Sequence, residues 1–425
     1  MKAYYGRQLL NPKIEARPKN LITLPTFIDS VCQRCGQKNT EKLPNNHYYC
    51  CGCLTLGRVS SHDVLLHLPE PNEFDGKAAL SWQGQLTAQQ QVVSDELIQT
   101  LLYKREHLVW AVTGAGKTEM LFPVIHHALQ KKYRVGIVSP RVDVIIELAP
   151  RFRAAFSETD MVVLHGAQTE DYRYTQLVLA TTHQMLRFKS AFDLLIVDEV
   201  DSFPYDGDKM LVHAVKHARK ASSALIYLSA TPTKKLQKRV TSKDLTVSYL
   251  PLRFHQHLLP LLKTTVVGHW RKKLPSKFLR QLKKFYQEDR RFLIFVPKVS
   301  DLRRVYQGIK QCLPDIAGDY VHASDPERQE KVQKMRDKDI QYLVTTTILE
   351  RGVTFPGIDV LILGADEPIF SENALVQIAG RVGRNHDRPT GLVQAYIRHT
   401  NLKVIAAQNQ IKKMNQRGRR LGGHI

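Results

Sequence analysis

Leu108-Val-Trp-Ala-Val-Thr113-Gly-Ala-Gly-Lys-Thr118 is the stretch on which the reading of this 425-residue chain turns. An apolar run of strand length passes without a break into a glycine-rich turn, and helix-forming residues begin at Glu119. Strand, turn and helix N-terminus together aim backbone N–H groups at an anion. Glycine lets that backbone curl around phosphate oxygens with no Cβ in the way. The spacing places Thr113, Gly114, Ala115, Gly116, Lys117 and Thr118 around a nucleotide, with Lys117 on the β- and γ-phosphates and the Thr118 hydroxyl on Mg²⁺. The full pattern has glycine where this chain has Ala111.

Downstream, Phe192-Asp-Leu-Leu-Ile-Val197 runs into Asp198-Glu199-Val200-Asp201. A buried strand that delivers adjacent acids at its C-terminal end suits a Mg–ATP site. Asp198 is expected in the Mg²⁺ shell, and Glu199 is expected to orient and deprotonate the attacking water. Phosphate turn and acid pair together predict an enzyme that hydrolyses ATP.

The same texture extends in both directions. Leu108–Val112, Val135–Val138, Met161–Leu164, Leu177–Ala180, Leu194–Val197 and Leu225–Leu228 are short apolar runs, with helix-competent segments such as Glu119–Lys131 between most of them. After a basic, turn-rich stretch beyond residue 230, Phe292–Val296, Tyr342–Thr345, Val360–Leu363 and Val393–Ile397 repeat the rhythm. Fully apolar short strands alternating with helices indicate parallel sheets covered on both faces. The predicted class is α/β: two tandem parallel-sheet domains, 86–260 and 261–425, the second with a basic tail. They follow a small module at 1–68 and a linker at 69–85.

That module holds five of the six cysteines. Cys32-x2-Cys35 and Cys50-x2-Cys53 offer four thiolates for a structural zinc with no position left open for catalysis. Cys51 and His47 are close enough in sequence to be alternative ligands, whereas Cys312 reads as an ordinary residue. A stretch of this size has too little apolar content for a core of its own, so zinc is expected to supply folding energy.

Composition bounds the function. With 62 Lys+Arg against 40 Asp+Glu, the net charge is +22, which points to a polyanionic partner, either nucleic acid or an anionic membrane face. A hydrophobic content of 43% excludes a wholly disordered chain. No apolar run is long enough for a transmembrane helix, and the N-terminus lacks the apolar stretch of a secretory signal, so a cytosolic protein is expected. The charge is uneven: residues 261–425 carry 30 of the basic and 16 of the acidic residues. Arg271, Lys272, Lys273, Lys277, Arg280, Lys283, Lys284, Arg290 and Arg291 gather beside Trp270, Phe278, Phe285 and Tyr286. They read either as a grip for a single strand or as an amphipathic helix with Leu274, Phe278, Leu282 and Phe285 inward.

Further motifs follow in a fixed order, and through them the chain resembles the superfamily 2 helicases, whose domains are RecA-like. Leu86-Thr-Ala-Gln-Gln90 resembles the adenine-reading element, with Gln90 the reader. Ser139-Pro140-Arg141 and Thr181-Thr182-His183-Gln184 resemble motifs that touch nucleic-acid phosphates, as do Thr345 and Thr346 at the start of a motif V-like stretch running to Thr354. Ser229-Ala-Thr231 resembles the motif linking hydrolysis to movement, a coupling role in which Gly352, Thr354 and Gln377 join it. Gln377-Ile-Ala-Gly-Arg381-Val-Gly-Arg384 resembles motif VI, which implies an arginine finger on the transferred phosphoryl group, Arg384 first and Arg381 second.

Asp198-Glu-Val-Asp-Ser-Phe-Pro-Tyr205, Thr347-Ile-Leu-Glu-Arg-Gly-Val-Thr-Phe-Pro356 and the N-terminal cysteines narrow the resemblance to the ComFA family of late-competence DNA-uptake ATPases. PriA helicases share several motifs, but their zinc-binding cysteines are inserted within the helicase region. The resemblance implies a cytosolic ATPase peripheral to the inner membrane face, working on single-stranded DNA with a ComFC-type protein and the DNA-uptake channel. Self-association is a further expectation. The rival expectation is a zinc-containing adaptor that docks DNA or the channel and uses ATP as a conformational switch; an RNA-directed or PriA-like helicase is a third.

Overall fold

The computed structural model describes residues 1–15, 19–166, 171–351, 353 and 355–424. The turn-rich N-terminal sequence folds into short antiparallel ladders. Strands β1 (Gln8–Pro12) and β2 (Ile22–Pro25) flank β8 (Asp63–His67). Strands β3 (Phe27–Ile28) and β4 (Val31–Cys32) form a hairpin, and β6 (Tyr48–Cys50) lies between β5 (Thr40–Lys42) and β7 (Val59–Ser60).

The first run of apolar segments becomes a seven-stranded sheet. Its elements are α1 (Ala88–Leu102), β9 (Glu106–Ala111), α2 (Phe122–Gln130), β10 (Val135–Ser139), α3 (Val142–Ala155), β11 (Met161–Leu164), β12 (Leu177–Thr181), β13 (Phe192–Val197), α4 (Lys209–Ala218), β14 (Arg219–Ser229), α5 (Lys234–Thr241) and β15 (Thr246–Leu250). The strand order is β11-β12-β10-β13-β14-β9-β15, with parallel pairing from β11 through to β9. Every residue of β10, β11, β12 and β13 is buried, in keeping with their largely apolar sequence. The segment after the phosphate turn differs from the helix expected over Glu119–Lys131. It opens as a 3-10 turn, Glu119–Leu121, before α2 begins. Pro123 has no N–H to give to the Glu119 carbonyl, so the α-helical ladder cannot start earlier.

The second series gives a six-stranded, all-parallel sheet: β16 (Leu262–Val266), α6 (Ser276–Gln287), β17 (Arg291–Phe295), α7 (Val299–Cys312), β18 (Gly318–Val321), α8 (Arg328–Asp337), β19 (Tyr342–Thr345), β20 (Ile358–Leu363), α9 (Glu372–Ala379), β21 (Val393–Ile397) and α10 (Leu402–Arg419). The order is β16-β21-β20-β17-β19-β18. Helix α6 buries Phe278, Leu282 and Phe285 completely, with Leu274 packed against the same core. Lys272, Lys273, Lys277, Arg280, Lys283 and Lys284 are exposed, but other members of that basic run are taken up internally. Arg271 pairs with Asp301 and Glu367, Arg290 with Glu288, and Arg291 donates to the carbonyls of Met335 and Pro356. The amphipathic-helix reading therefore describes α6, and Trp270 belongs to its core.

Contacts divide the chain into two compact units, Met1–Trp110 with Lys117–Tyr249, and Ala111–Gly116 with Leu250–Ile425. The division at residue 250 comes earlier than the boundary expected after 260, because the chain leaves the first sheet at the end of β15. The N-terminal module groups with the first sheet. Its four cysteines and Val59 share one buried cluster with Met185, Phe188, Leu211 and Val215. Residues 69–86 carry no regular element, yet they are strapped down. Glu70 pairs with the fully buried Arg134 at 2.7 Å, Asn72 donates to Asp193, and the Ser81 N–H donates to the Ala155 carbonyl. Arg134 also donates to the carbonyls of Tyr5 and Thr175 and to the Tyr172 hydroxyl, so one buried cation ties the N-terminus, the strap and the sheet together.

Candidate active site

Parallel strands end at the same edge, and that edge collects the expected chemistry of the first unit. Val138 and Val197 are register partners, and the Asp198 N–H donates to the Val138 carbonyl at 2.7 Å, which fixes the acid just beyond β13. The Asp198 carboxylate accepts from the Glu199 N–H at 2.8 Å. Lys117 Nζ stands 4.0 Å from Asp198 Oδ1. Burial pushes the Asp198 carboxyl up from its ordinary pKa; Lys117 pulls it down, and Glu199 and Asp201 push it up again. Asp198 and Glu199, adjacent carboxylates with one lysine beside them, form a hard-oxygen donor set short of positive charge. The Asp198 carboxylate thus fits a site for Mg²⁺, and Thr118, the other expected ligand, is buried at the end of the phosphate turn.

Glu199 has a left-handed backbone, φ 52°, which is uncommon outside glycine. Asp201 is held at both oxygens: Ser229 donates to Oδ1 at 2.6 Å and Thr231 to Oδ2 at 2.5 Å. The Thr231 N–H in turn donates to the Ser229 hydroxyl at 2.9 Å. The acid loop is thereby hydrogen-bonded to the segment at the end of β14.

Gln90 closes a capping box at the start of α1. Its Oε1 accepts from the Thr87 N–H at 2.8 Å, and its own N–H donates to the Thr87 hydroxyl. Ser139 and Thr181 end adjacent strands as register partners. Ser139, Pro140, Thr181, Thr182 and Thr345 are buried, whereas Arg141, His183 and Thr346 are half-buried. Arg141 stands 3.5 Å from Asp143. In the second unit, Gln377 is buried on α9, Arg381 donates from Nε to the Glu350 carbonyl, and Arg384 donates from Nε to the Gly380 carbonyl. Thr113, which groups with that unit, donates its hydroxyl to the Gly380 carbonyl at 3.2 Å. Gly352 and Thr354 lie outside the described residues.

The cysteine module builds a second candidate site. Cys32, Cys35, Cys50 and Cys53 are fully buried, and their sulfurs all lie within 4.8 Å of one another. Cys35–Cys50 is 3.4 Å and Cys32–Cys53 is 3.8 Å, too long for disulfides. A tetrahedral zinc with Zn–S of about 2.3 Å holds its sulfurs about 3.8 Å apart, so the set fits that ion. Of the alternatives, Cys51 falls outside the cluster, and His47 stacks on His62 with Nδ1 2.9 Å from the Ser61 hydroxyl.

Residues 89–239 match the DEAD/DEAH box helicase family and residues 276–386 match the helicase conserved C-terminal domain. The competence protein ComFA of Bacillus subtilis is 42% identical over 91% of this chain and 85% of its own length. ComFA of Streptococcus pneumoniae is 40% identical over 91% of this chain and 90% of its own. The chain belongs to the ComFA family. Among solved structures, Mycobacterium smegmatis helicase Lhr bound to single-stranded DNA and AMP-PNP superposes at a TM-score of 0.56. At 16% identity it covers 80% of this chain and 51% of that one, and it bears on the fold alone. The helicase families span the phosphate turn, the acid loop and motif VI, so this ComFA chain is a competence-associated, helicase-like ATPase.

Two groups in this ComFA chain escaped the motif reading. Arg34, inside the first Cys-x2-Cys, donates from Nε to the Cys53 sulfur at 3.3 Å and from Nη2 to the Cys53 carbonyl at 3.1 Å. It sets a positive charge against a thiolate cluster; an arginine between two paired cysteines was the available signal. Arg253 is the other, and no motif contains it.

Proposed function

We propose that this ComFA chain is an ATP-driven motor on single-stranded DNA that helps draw transforming DNA into the cell. The observation that supports it most is the pairing of Lys117 with Asp198 beside Glu199, on a chain 42% identical to a competence protein over nearly its whole length. In this reading Thr113–Thr118 hold the phosphates, and Lys117 neutralises the terminal ones. Asp198 and Thr118 hold Mg²⁺, which when bound polarises the phosphoryl oxygens. Glu199 aligns the attacking water and takes its proton. Arg384 and Arg381 steady charge on the transferred group, and the Asp201–Ser229–Thr231 bridge passes the change onward. Cys32, Cys35, Cys50 and Cys53 hold a structural zinc that adds folding free energy. The strand ends around Ser139, Thr181 and Thr345 offer backbone to DNA phosphates. A ComFC-type protein and the DNA channel at the inner membrane face are the expected partners.

Steady-state ATP hydrolysis with and without single-stranded DNA, duplex DNA and RNA tests the motor. Single-stranded DNA is expected to stimulate turnover about tenfold or more, and RNA far less. Turnover indifferent to DNA would favour the adaptor instead, and equal stimulation by RNA would favour an RNA-directed helicase.

A further inference from the structure

Three large arginines are essentially sealed from solvent: Arg134, Arg381 and Arg253. Arg134 has a carboxylate, two carbonyls and a hydroxyl around its guanidinium. Arg253 is 1% exposed and has one acceptor, the Gly383 carbonyl, which receives its Nη1. Among the described residues, its Nε and Nη2 are buried with no hydrogen-bond partner. That carbonyl is also met by His255 Nε2 at 3.0 Å, so even the single acceptor is shared. A buried guanidinium with unused donors and no counter-charge is costly, and native proteins keep such a group where an anion arrives to complete it.

The surroundings say which anion. The segment leaving β15 runs beside the phosphate turn: the Val112 N–H donates to the Leu250 carbonyl at 2.9 Å and the Phe254 N–H to the Gly114 carbonyl at 3.0 Å. A Cβ on Gly114 would stand 3.8 Å from Arg253 Cγ and 4.0 Å from Cδ, so the arginine stem lies along the glycine that opens the turn. Gly114 has φ 81° and Gly116 φ 70°, the curled backbone that turns N–H groups toward an anion. Burial, and then the charge of Arg384, lower Arg253 to about 9.

We propose that Arg253 is a phosphate ligand of the nucleotide, taking an oxygen of the phosphate chain held by the Gly114–Gly116 turn. The inference rests on the ATP-binding reading above and extends it to a residue in the segment that joins the two units. Hydrogen-bonded to Gly114 through Phe254, that segment senses directly whether the turn is filled.

Isothermal titration of the full-length chain with Mg·ATP, together with thermal melting with and without it, tests the assignment. Arg253→Met keeps the apolar stem and Arg253→Gln keeps a donor for the Gly383 carbonyl; neither carries charge. Both are expected to bind Mg·ATP about tenfold more weakly or worse. Their nucleotide-free melting temperature should equal or exceed that of the unsubstituted chain, since an uncompensated charge is gone, and the increment on adding Mg·ATP should shrink. Affinity within twofold of the unsubstituted chain in either variant overturns the proposal. So does a lowered nucleotide-free melting temperature with an undiminished increment, which is the behaviour of a packing residue. Lys117→Ala separates the two levels of the argument. If the unsubstituted chain binds no Mg·ATP, or Lys117→Ala binds it equally well, the nucleotide reading itself falls. If Lys117→Ala loses binding and the Arg253 variants keep it, only the role of Arg253 falls.

Discussion

Glu199 sits in a left-handed conformation between two acids that are each held in place, Asp198 by Lys117 and backbone, Asp201 by Ser229 and Thr231. Such a backbone costs about 1–3 kcal/mol in a non-glycine residue and persists only where its neighbours over-determine it. Glu199→Gln preserves shape and removes the proton acceptor. It is expected to bind Mg·ATP within about twofold of normal and to slow single-turnover hydrolysis by about 10² or more. Near-normal turnover would take the base role away from Glu199. Acids after a strand and arginines at motif spacing could be found by sequence because their meaning lies in local order. Arg253 could not be, because a single arginine in an unremarkable stretch acquires meaning only when folding brings Gly114 and Gly383 around it and leaves its other donors bare.

Strands show the same limit at the next scale up. Most strands of the two parallel sheets were visible as short apolar runs, with ends exact at Met161–Leu164, Tyr342–Thr345 and Val393–Ile397. β15, β16 and β18 were not, because each is the terminal strand of its sheet and has half-exposed residues that interrupt the run. The cysteine knuckles are the opposite case, since ligand spacing alone located a cluster that the fold then buries completely. Cys32→Ala is expected to lower zinc, measured by elemental analysis of the purified chain, well below one per molecule. Limited proteolysis should then cut first within residues 1–68. Zinc retained at one per chain would mean that the four sulfurs are not its site.

For the molecule as a whole, the excess of positive charge on the second half resolves into two populations. Arg271, Arg290 and Arg291 are engaged in ion pairs or hydrogen bonds, while Lys277 and Lys283 project from α6 into solvent beside Lys284, which is exposed and 3.7 Å from Glu288. If the exposed lysines neutralise single-strand phosphates, replacing these three with glutamine should flatten the plot of log affinity against log salt by about two. ATP hydrolysis without DNA should not change. An unaltered slope would assign the strand to another surface.

The shared core beneath the cysteine cluster changes how this protein can be taken apart. Where a tail hangs from a finished domain, cutting it off asks a clean question about what the tail does. Here residues 1–68 cover Met185, Phe188, Leu211 and Val215, and Gly36 packs so closely on His213 that a Cβ would stand 2.6 Å from its ring. A shortened chain would therefore present a raw apolar face and lose solubility or shape before it lost any recognition. A failed shortened protein would speak for a broken seam, and only point changes on the outer surface of the module can report what it touches.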